Sequence, residues 1–525
     1  MAPANQPARR AVRGTVTPSR IAPRVSRVTR RPVSPIALIP RPQHLDELDE
    51  PPFVLGETST VVVEPRPELI QTGVLTADLF GRLSGRAIEV RYAGAEPAPG
   101  AIVLTRTGPV ADGGPGADET YQVVVRAGRV EVRSPSVAGL VHGVVTLRQL
   151  ATVEEGSVRI PAVRIQDAPR FAWRGLSIDV ARHFFGVEDL KGVIGLMAHY
   201  KLNVLHLHLT DDQGWRLHVP SRPKLTELSS DSAVGGDRGG FYTPGDFAAL
   251  TEYAAARGIR VVPEIDVPGH VNAALHAYGE LTPSGEPTDA YDGIEVGFSR
   301  LHADLPATQP FLEAVFTDVA AMTAGEHVHI GGDEVLTMEP EEYARFVALA
   351  SQVVRAAGKK VVGWQEIAQT PLEPGTVVQY WDTRVDPEPF VRAAREGALL
   401  LMSPGSKSYL DMKYDPTFPL GLEWAGHIEV RDSYDWEPTT LVEGVPAESV
   451  VGVEAAVWTE TLRTVDDLTT MLLPRLAAVA EVAWTPPQAR DWADFRTRVA
   501  QHGRFWDHLG VAWHRSPQVD WTTRP

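Results

Sequence analysis

Two adjacent acidic residues, Asp333 and Glu334, are the strongest candidates for catalytic groups in this sequence. Gly331 and Gly332 stand directly before them, and glycine permits the sharp turn that would bring both carboxyl groups to one place. Because neighbouring carboxylates repel each other, we expect the pKa of one of them to be raised. A raised pKa suits a general acid that works near neutral pH. An acidic loop without catalytic function is the alternative interpretation.

Tryptophan residues give the second chemical signal. Trp364, Trp381 and Trp458 each stand at the end of a predicted strand, where a polar residue would be more usual. A single tryptophan is normally part of a core, but three at one mouth predict an apolar wall for a flat or ring-shaped ligand. Carboxylates and arginine near such a wall can bind hydroxyl groups, so the combination favours a sugar over a phosphate.

A carboxylate pair that acts on a sugar has to satisfy a known geometry. Ordinary retaining glycosidases place the two carboxyl groups about 5–5.5 Å apart, on separate parts of the chain. Sequence neighbours such as Asp333 and Glu334 fit this arrangement poorly. They fit better if one group protonates the leaving group while the other acts through a substituent of the substrate.

The elements that must position these groups alternate between strand and helix from Phe171 onwards. Eight continuous apolar runs alternate with amphipathic helices over roughly 310 residues, which predicts an α/β fold of the (β/α)8 TIM-barrel type. An open doubly wound sheet is the alternative, but no glycine-rich phosphate-binding turn follows the first strand. In a barrel, catalytic groups lie at the carboxyl ends of the strands. Besides the residues above, those ends carry Asp179, Arg182, His183, His206, His208, Asp211, Asp212, Glu264, Asp266, His270, His329, Glu366, Asp382, Tyr409, Asp411 and Glu460.

A second, smaller domain is predicted ahead of the barrel. Short β-rich runs, a hairpin that turns at Ala127-Gly128 and a helix after Pro135 are typical of an α+β domain. We therefore divide the chain into four parts. They are an arginine- and proline-rich tail without folded structure (1–46), the small α+β domain (47–168), the catalytic barrel (169–490) and a C-terminal helical extension packing on the barrel (491–525).

Charge is distributed unevenly along the 525 residues. Residues 1–45 contain nine arginines and no acidic residue, so removing their charge of +9 from the formal net charge of −17 leaves −26 on residues 46–525. This acidity argues against non-specific nucleic-acid binding by the body of the protein. The tail is typical of an unstructured extension, with a contact to an anionic surface or a nucleic acid as the alternative.

Cysteine and long apolar runs are both missing from the sequence. The absence of cysteine excludes disulfides, cysteine-ligated metals and a thiol nucleophile. No apolar run approaches the roughly 18 residues of a membrane span. Proline interrupts the run "VSPIALIP", so we expect no signal peptide and a cytoplasmic location by default, with secretion as the alternative if the N-terminus is misassigned.

Eight short segments, in order along the chain, resemble the signature of the family-twenty glycoside hydrolases, the β-N-acetylhexosaminidases, of the bacterial type. The segments are "IDVARHFF" (178–185), "HLHLTDDQGWR" (206–216), "PEIDVPGH" (263–270), "HIGGDEV" (329–335), "GWQEI" (363–367), "QYW" (379–381), "YLD" (409–411) and "VWTE" (457–460). The resemblance covers about residues 50–490, including the small domain that these enzymes carry before the barrel.

The resemblance implies a role for each matching residue. Glu334 resembles the general acid/base, and Asp333 resembles the residue that orients the 2-acetamido group and stabilises an oxazolinium intermediate. Tyr409 would donate to the acetamido carbonyl oxygen, while Asp211 and His270 would tune the protonation of the acid/base. The remaining matches would bind the sugar, its ring face and acetamido group on Trp364, Trp381 and Trp458 and its hydroxyl groups on Arg182, Asp411 and Glu460.

The implied function is that of an exo-acting hydrolase. It would remove terminal, non-reducing β-linked GlcNAc or GalNAc from oligosaccharides or glycoconjugates, such as chitin oligosaccharides, with retention and without a cofactor or metal. A nucleic acid is not an expected partner, and no membrane span is expected. The alternatives are a metal-dependent barrel hydrolase built on His206, His208, His270 and Asp333, a non-catalytic sugar-binding barrel, and an endo-acting chitin hydrolase.

Overall fold

The structure is a computed structural model in which residues 36–94, 99–108 and 116–521 are described. Residues 1–35, most of the predicted tail, lie outside this part of the chain, so their lack of folded structure stays a prediction. The strands are β1 (His44–Glu47), β2 (Phe53–Val54), β3 (Thr60–Val63), β4 (Glu89–Tyr92), β5 (Ala101–Arg106), β6 (Tyr121–Arg126), β7 (Arg129–Ser134), β8 (Thr152–Glu154), β9 (Ser157–Ile160), β10 (Val163–Asp167), β11 (Trp173–Asp179), β12 (Val204–His208), β13 (Thr210–Asp211), β14 (Gly214–Trp215), β15 (Arg260–Glu264), β16 (His327–His329), β17 (Lys360–Trp364), β18 (Val377–Tyr380), β19 (Leu399–Met402) and β20 (Val450–Val457).

Helices connect most of the strands. They are α1 (Pro67–Ser84), α2 (Val137–Leu150), α3 (Val187–His199), α4 (Lys224–Ser229), α5 (Pro244–Ala255), α6 (Asn272–Ala277), α7 (Thr308–Met322), α8 (Pro340–Ala356), α9 (Glu388–Arg395), α10 (Gly405–Ser408), α11 (Val430–Tyr434), α12 (Val465–Leu472), α13 (Arg475–Trp484) and α14 (Trp492–Leu509). Within the described residues, no helix is both long and apolar enough to cross a membrane.

The end of the predicted tail is part of the folded protein, which corrects the predicted limit at residue 46. Strand β1 pairs with β10, and Leu38 and Ile39 are 1% and 0% exposed. The backbone amide of Arg41 donates to Oε2 of Glu481 at 2.9 Å. The prediction averaged over the arginine-rich first 45 residues and so missed the short apolar segment with Leu38 and Ile39. Burial of this segment against the body of the protein stabilises it.

Strands β1 to β10 build the small α+β domain that was predicted ahead of the barrel. Seven of them form one sheet in the order β1-β10-β6-β7-β5-β3-β4, and the other three form the sheet β2-β9-β8. The predicted hairpin is confirmed, because β6 and β7 pair in antiparallel fashion and turn at Ala127-Gly128. The predicted helix is α2, and it begins at Ser136, whose hydroxyl accepts the amide of Gly139 as an N-cap.

A buried ion pair joins the small domain to the barrel. Arg174 of β11 donates to the carboxylate of Glu119, and Asn203 donates to the same group at 3.1 Å. Arg174 and Glu119 are 0% and 8% exposed. Both charges are therefore paired away from water, as a buried charge requires.

Eight parallel strands close into a barrel, as the sequence predicted, and the alternative of an open doubly wound sheet is wrong. The strands are β11, β12 and β15 to β20, and the closing pair is β20 with β11. At the amino end the inward-facing side chains form a small apolar layer of Trp173, Val204, Val262, Val362, Val377 and Leu401. Above this layer the inward-facing side chains are polar and buried, and they include His206, Glu264, His329, Gln379 and Glu454.

Helix α14 lies within the predicted C-terminal extension and packs on the barrel helices. The indole of Trp506 donates to the hydroxyl of Tyr200 at 3.0 Å, and Phe505 stacks on His199 with ring centroids 4.0 Å apart. We keep the four domain boundaries as predictions, apart from the tail limit corrected above.

Candidate active site

A backbone turn after β16 carries the two candidate catalytic carboxyl groups. Gly331, Gly332 and Glu334 have φ angles of 68°, 109° and 52°, so the chain leaves the strand in a left-handed course. Positive φ at a residue other than glycine is uncommon and concentrates at functional sites. The turn is held by Asp266, whose Oδ1 accepts the amide of Gly332 at 3.1 Å. It brings Asp333 and Glu334 to the same cavity, although successive residues of a strand would face opposite ways.

The cavity at the carboxyl ends of the barrel strands has a volume of about 350 Å³. Nine of the eleven predicted site residues line it. They are Arg182, Asp211, His270, Asp333, Glu334, Trp381, Tyr409, Trp458 and Glu460. The predicted residues therefore come together from six different strand ends and from the segment after β19.

The other two predicted substrate-binding residues, Trp364 and Asp411, are not among the residues that line this cavity. Trp364 is 1% exposed, lies 5.7 Å from the ring of Trp458, and donates its indole N–H to Oε1 of Glu264 at 2.7 Å. Asp411 is also 1% exposed, and burial, followed by the charge of Glu460, raises its pKa well above its usual range. In this structure neither side chain lines the cavity, and their roles toward a substrate stay predictions.

Aromatic rings form one wall of the cavity. Trp381 and Tyr409 are nearly parallel, with 14° between their planes. Trp424 stands nearly perpendicular to both, with ring centroids 5.7 Å from each, and is 42% exposed at the rim. Sequence reasoning missed Trp424 because it lies on a long loop, not at a strand end. The same holds for three other lining residues, Ile294, Val296 and Leu422, whereas Arg384 lies in the short connection after β18.

The carboxylate of Asp211 contacts charged side chains from three strand ends. Its Oδ2 lies 2.8 Å from Nη1 of Arg182 and 2.7 Å from Nε2 of His208, and its Oδ1 lies 3.2 Å from Nδ1 of His270. Burial opposes its ionisation, but Arg182, and then His270, more than offset this and hold the pKa of Asp211 well below its usual range. Asp212 lies beside this group, since its Oδ2 is 4.0 Å from Nδ1 of His270, while its Oδ1 accepts the amide of Asn272 at 2.9 Å.

His270 connects Asp211 to the catalytic pair. Its Nε2 lies 3.4 Å from Oε2 of Glu334 and 3.6 Å from Oδ2 of Asp333. Its φ of 54° makes it, after Glu334, a second left-handed residue other than glycine in the site. The three groups of the predicted acid/base unit, Asp211, His270 and Glu334, are thus consecutive neighbours in space.

The expected raised pKa falls on Asp333. This residue is 8% exposed, and burial raises its pKa to about 6, with His270 lowering it and Glu334 raising it. The side chain of Glu334 is 32% exposed. The turn therefore buries the first carboxyl group of the pair and leaves the second open to the cavity.

Asp179 shapes the site without lining it. Its Oδ1 accepts the amides of Ala181 and Arg182 at 2.8 and 3.1 Å, and its Oδ2 accepts the amide of Thr459 at 3.1 Å. These bonds tie the end of β11 to the end of β20. They fix the positions of Arg182 and Glu460 relative to each other.

Among the residues that the structure describes, four groups of buried side chains have donor atoms close enough to hold a metal ion. They are His206/Glu264/His329, His208/Glu264/Asp266, Asp211/Asp212/His270 and Asp266/His270/Asp333, each with its donor atoms within 4.8 Å of one another. Many of these atoms already bond within the protein, since His208 bonds both Glu264 and Asp211. A metal ion would have to compete with these contacts and with the cation of Arg182.

Comparison with known proteins places this geometry in a family. The family model described as "Glycosyl hydrolase family 20, catalytic domain" matches residues 171–487, and the model "Glycosyl hydrolase family 20, domain 2" matches residues 35–168. A β-N-acetylhexosaminidase of Cellulomonas fimi is 66% identical over 487 residues, which cover 93% of this chain and 97% of the relative.

Solved structures agree with the sequence comparison. The β-N-acetylhexosaminidase of Streptomyces coelicolor A3(2) matches with a TM-score of 0.88 and 40% identity, covering 93% of this chain and 99% of that one. A mutant β-hexosaminidase of Streptomyces plicatus, in complex with the product GlcNAc, matches with a TM-score of 0.89 and 40% identity, covering 94% and 99%. Since both family models match and together span most of the sequence, the chain belongs to glycosyl hydrolase family 20.

Proposed function

We propose that this protein is an exo-acting β-N-acetylhexosaminidase that removes terminal, non-reducing β-linked N-acetylhexosamine with retention of configuration. The observation that carries the proposal is that Asp333 and Glu334 both reach one aromatic-walled cavity through a left-handed turn. A cavity of about 350 Å³ is near the lower end for ligand sites, as a single sugar ring would need. The name of the Cellulomonas fimi relative and the GlcNAc bound to the Streptomyces plicatus enzyme support the same substrate class.

The reaction proceeds in two steps that use the 2-acetamido group of the substrate as the nucleophile. In the first step, Glu334 gives its proton to the glycosidic oxygen while the acetamido carbonyl oxygen attacks the anomeric carbon. The bond to the leaving group breaks and a cyclic oxazolinium forms. In the second step, the Glu334 carboxylate takes a proton from water, which attacks the anomeric carbon and reopens the ring. Two inversions at the anomeric carbon give net retention of its configuration. Because the nucleophile is part of the substrate, it is already close to the anomeric carbon.

Asp333 acts on the nitrogen of the acetamido group. Positive charge develops there as the oxazolinium forms, and an adjacent carboxylate stabilises that charge. Tyr409 acts as a hydrogen-bond donor, since its hydroxyl would donate to the acetamido carbonyl oxygen and align it for attack. Burial raises the pKa of Tyr409 well above its usual range, with Asp333 adding to the effect, so the hydroxyl keeps its proton.

Charged groups at one end of the cavity would bind the sugar hydroxyls. Arg182 and Glu460 line the cavity, and Asp411 is buried close enough to Glu460 for the two charges to interact. Burial opposes the charge of Arg182, but Asp211 and Asp179 raise its pKa, so it stays a cation. A set of charged groups that closes around the non-reducing end favours exo over endo cleavage. The partners are thus N-acetylhexosamine-terminated oligosaccharides or glycoconjugates.

The test is release of p-nitrophenol from its N-acetyl-β-glucosaminide. Glu334→Gln should abolish turnover while circular dichroism and the melting temperature stay those of the folded protein. Asp333→Asn should lower kcat strongly. Unchanged turnover in Glu334→Gln would remove the assignment. The same assay excludes a non-catalytic sugar-binding barrel, which would bind the sugar without releasing the phenol. Glucosaminide, galactosaminide and chito-oligomers measured side by side would define the substrate preference.

A further inference from the structure

Beside Asp211, His208 also lines the cavity, and its side chain is held between two carboxylates. Its Nδ1 lies 2.7 Å from Oε2 of Glu264, and its Nε2 lies 2.7 Å from Oδ2 of Asp211. All three side chains are at most 1% exposed. Ionised carboxylates only accept hydrogen bonds, so each ring nitrogen of His208 must carry a proton, and the ring is an imidazolium.

This ion pair extends an alternating series that reaches the proposed acid/base. Asp211 contacts His270 at 3.2 Å, and His270 lies 3.4 Å from Glu334. The series therefore runs from Glu264 in the barrel lumen through His208, Asp211 and His270 to Glu334, with carboxyl groups and imidazole rings in turn. The lumen end is anchored, because the other oxygen of Glu264, Oε1, accepts the indole N–H of Trp364 at 2.7 Å and lies 3.1 Å from Nδ1 of His329.

Several other charged groups face His208 and Asp211, two members of this series. Asp266 has a carboxyl oxygen within 4.8 Å of donor atoms of His208 and Glu264. Asp333 approaches from the end of β16, where the charge of His208 acts to lower its pKa. Burial opposes the charge on His208, but Glu264 and Asp211 together raise its pKa well above the usual range. Around Asp211 the facing groups are Arg182, His208, His270, Asp212 and Glu460.

We propose that His208 and Glu264 are positioning residues for the acid/base. His208 balances the charge of Asp211 on the side away from His270, and Glu264 fixes the ring of His208. Asp211 therefore stays ionised and holds His270 by Nδ1, with Nε2 directed at Glu334. This inference rests on the proposed function, because it assigns the acid/base to Glu334.

Removal of His208 should change the pH dependence as well as the rate. The variant His208→Gln deletes one positive charge among Glu264, Asp211 and Asp333, so these carboxyl groups take up protons more easily. The acid limb of the kcat/KM profile should then move to higher pH by about one unit, and kcat should fall by about 10- to 100-fold. KM should change less than about threefold, because His208 acts through Asp211 and His270.

His206→Gln is the matched control. His206 lies on the same strand, two residues earlier, is also 1% exposed, and also lies between two carboxylates, Glu264 and Glu454. It contacts Glu264 but not Asp211, so its loss should move the acid limb clearly less than His208→Gln does. Both variants are compared with the unmodified chain in turnover of the p-nitrophenyl glucosaminide from pH 4 to 9, with melting temperatures as the check on folding.

Unmoved limbs in a folded His208→Gln protein, or equal shifts in His206→Gln, would overturn the proposal. If His208→Gln does not fold, Glu264→Gln carries the test with little change in side-chain size. Loss of that carboxylate makes His208 easier to deprotonate, so the alkaline limb should move to lower pH, and an unmoved alkaline limb would overturn the proposal. A wrong function would show differently, because the unmodified chain would then fail to hydrolyse the glucosaminide at any pH.

Discussion

The turn that carries Asp333 and Glu334 has so little free space that one methyl group should misplace the catalytic pair. A Cβ added at Gly331 would lie 1.7 Å from Oδ1 of Asp266, whereas such contacts are not seen below 3.0 Å. Gly331→Ala therefore has to separate the two groups by at least 1.3 Å, the difference between these distances. Asp266 also binds the amide of Gly332, so the displacement is transmitted to the turn itself. A misplacement of about 1 Å costs on the order of 100-fold in rate, which is the fall in kcat that we expect.

Stability should change as well, and a second glycine separates the two effects. A left-handed φ costs a residue other than glycine about 1–2 kcal/mol. Gly358, after α8, has a φ of 80° but no atom within 4 Å of an added Cβ, so Gly358→Ala carries this cost alone. Urea unfolding should show a loss in both variants, larger in Gly331→Ala, while only Gly331→Ala loses kcat. A folded Gly331→Ala protein with kcat within about threefold of the unmodified chain would refute the argument that this turn positions the pair.

Three further outcomes follow from particular contacts. Trp424→Ala removes a ring at the exposed rim of the cavity. This ring would bind the substrate and the transition state equally, so KM for the glucosaminide should rise about 3- to 10-fold with kcat little changed. Neutral His502 accepts from Tyr200 and donates to the carbonyl of Ala37, and burial lowers its pKa to about 4. The unfolded chain therefore binds this proton first, and urea unfolding should show a loss on the order of 3 kcal/mol as pH falls from 6.5 toward 4, reduced in His502→Gln. Because donor atoms in the histidine and carboxylate clusters bond within the protein, dialysis against a chelator should leave turnover unchanged, and a loss restored by zinc would support the metal-dependent alternative.

The parallel strands could be predicted from sequence because strands buried on both faces produce continuous apolar runs, and eight such runs alternating with helices favoured a barrel over an open sheet. Helix α2 and the hairpin between β6 and β7 were predictable for similar local reasons, a cap residue and a turn with glycine. The limit of the tail was not predictable in this way. Leu38 and Ile39 are buried by distant parts of the chain, including the helices near Gln149 and Glu481, and no local pattern reports such contacts.

The site residues also differ in whether local sequence could predict them. Residues at strand ends were found because the barrel brings every strand end to one face. Trp424 and Ile294 lie on loops whose course is set by tertiary packing, so their arrival at the cavity left no periodic signal. Trp364 shows the limit of this reasoning. A strand end predicts proximity to the cavity, but whether a side chain lines the cavity depends on its partners, and here Glu264 holds the indole behind Trp458.

Repulsion between neighbours predicts that one carboxyl group of the pair has a raised pKa, but only the backbone course shows which one. Since the turn buries Asp333, burial raises the pKa of that residue to about 6. If Asp333 must be ionised to stabilise the charge on the acetamido nitrogen, kcat/KM for the glucosaminide should rise with pH through about 6. An amide at this position does not titrate, so the residual activity of Asp333→Asn should lack this limb. The same limb at an unchanged pH in Asp333→Asn would show that another group controls it, and the orienting carboxylate would then have to be sought elsewhere in the cavity.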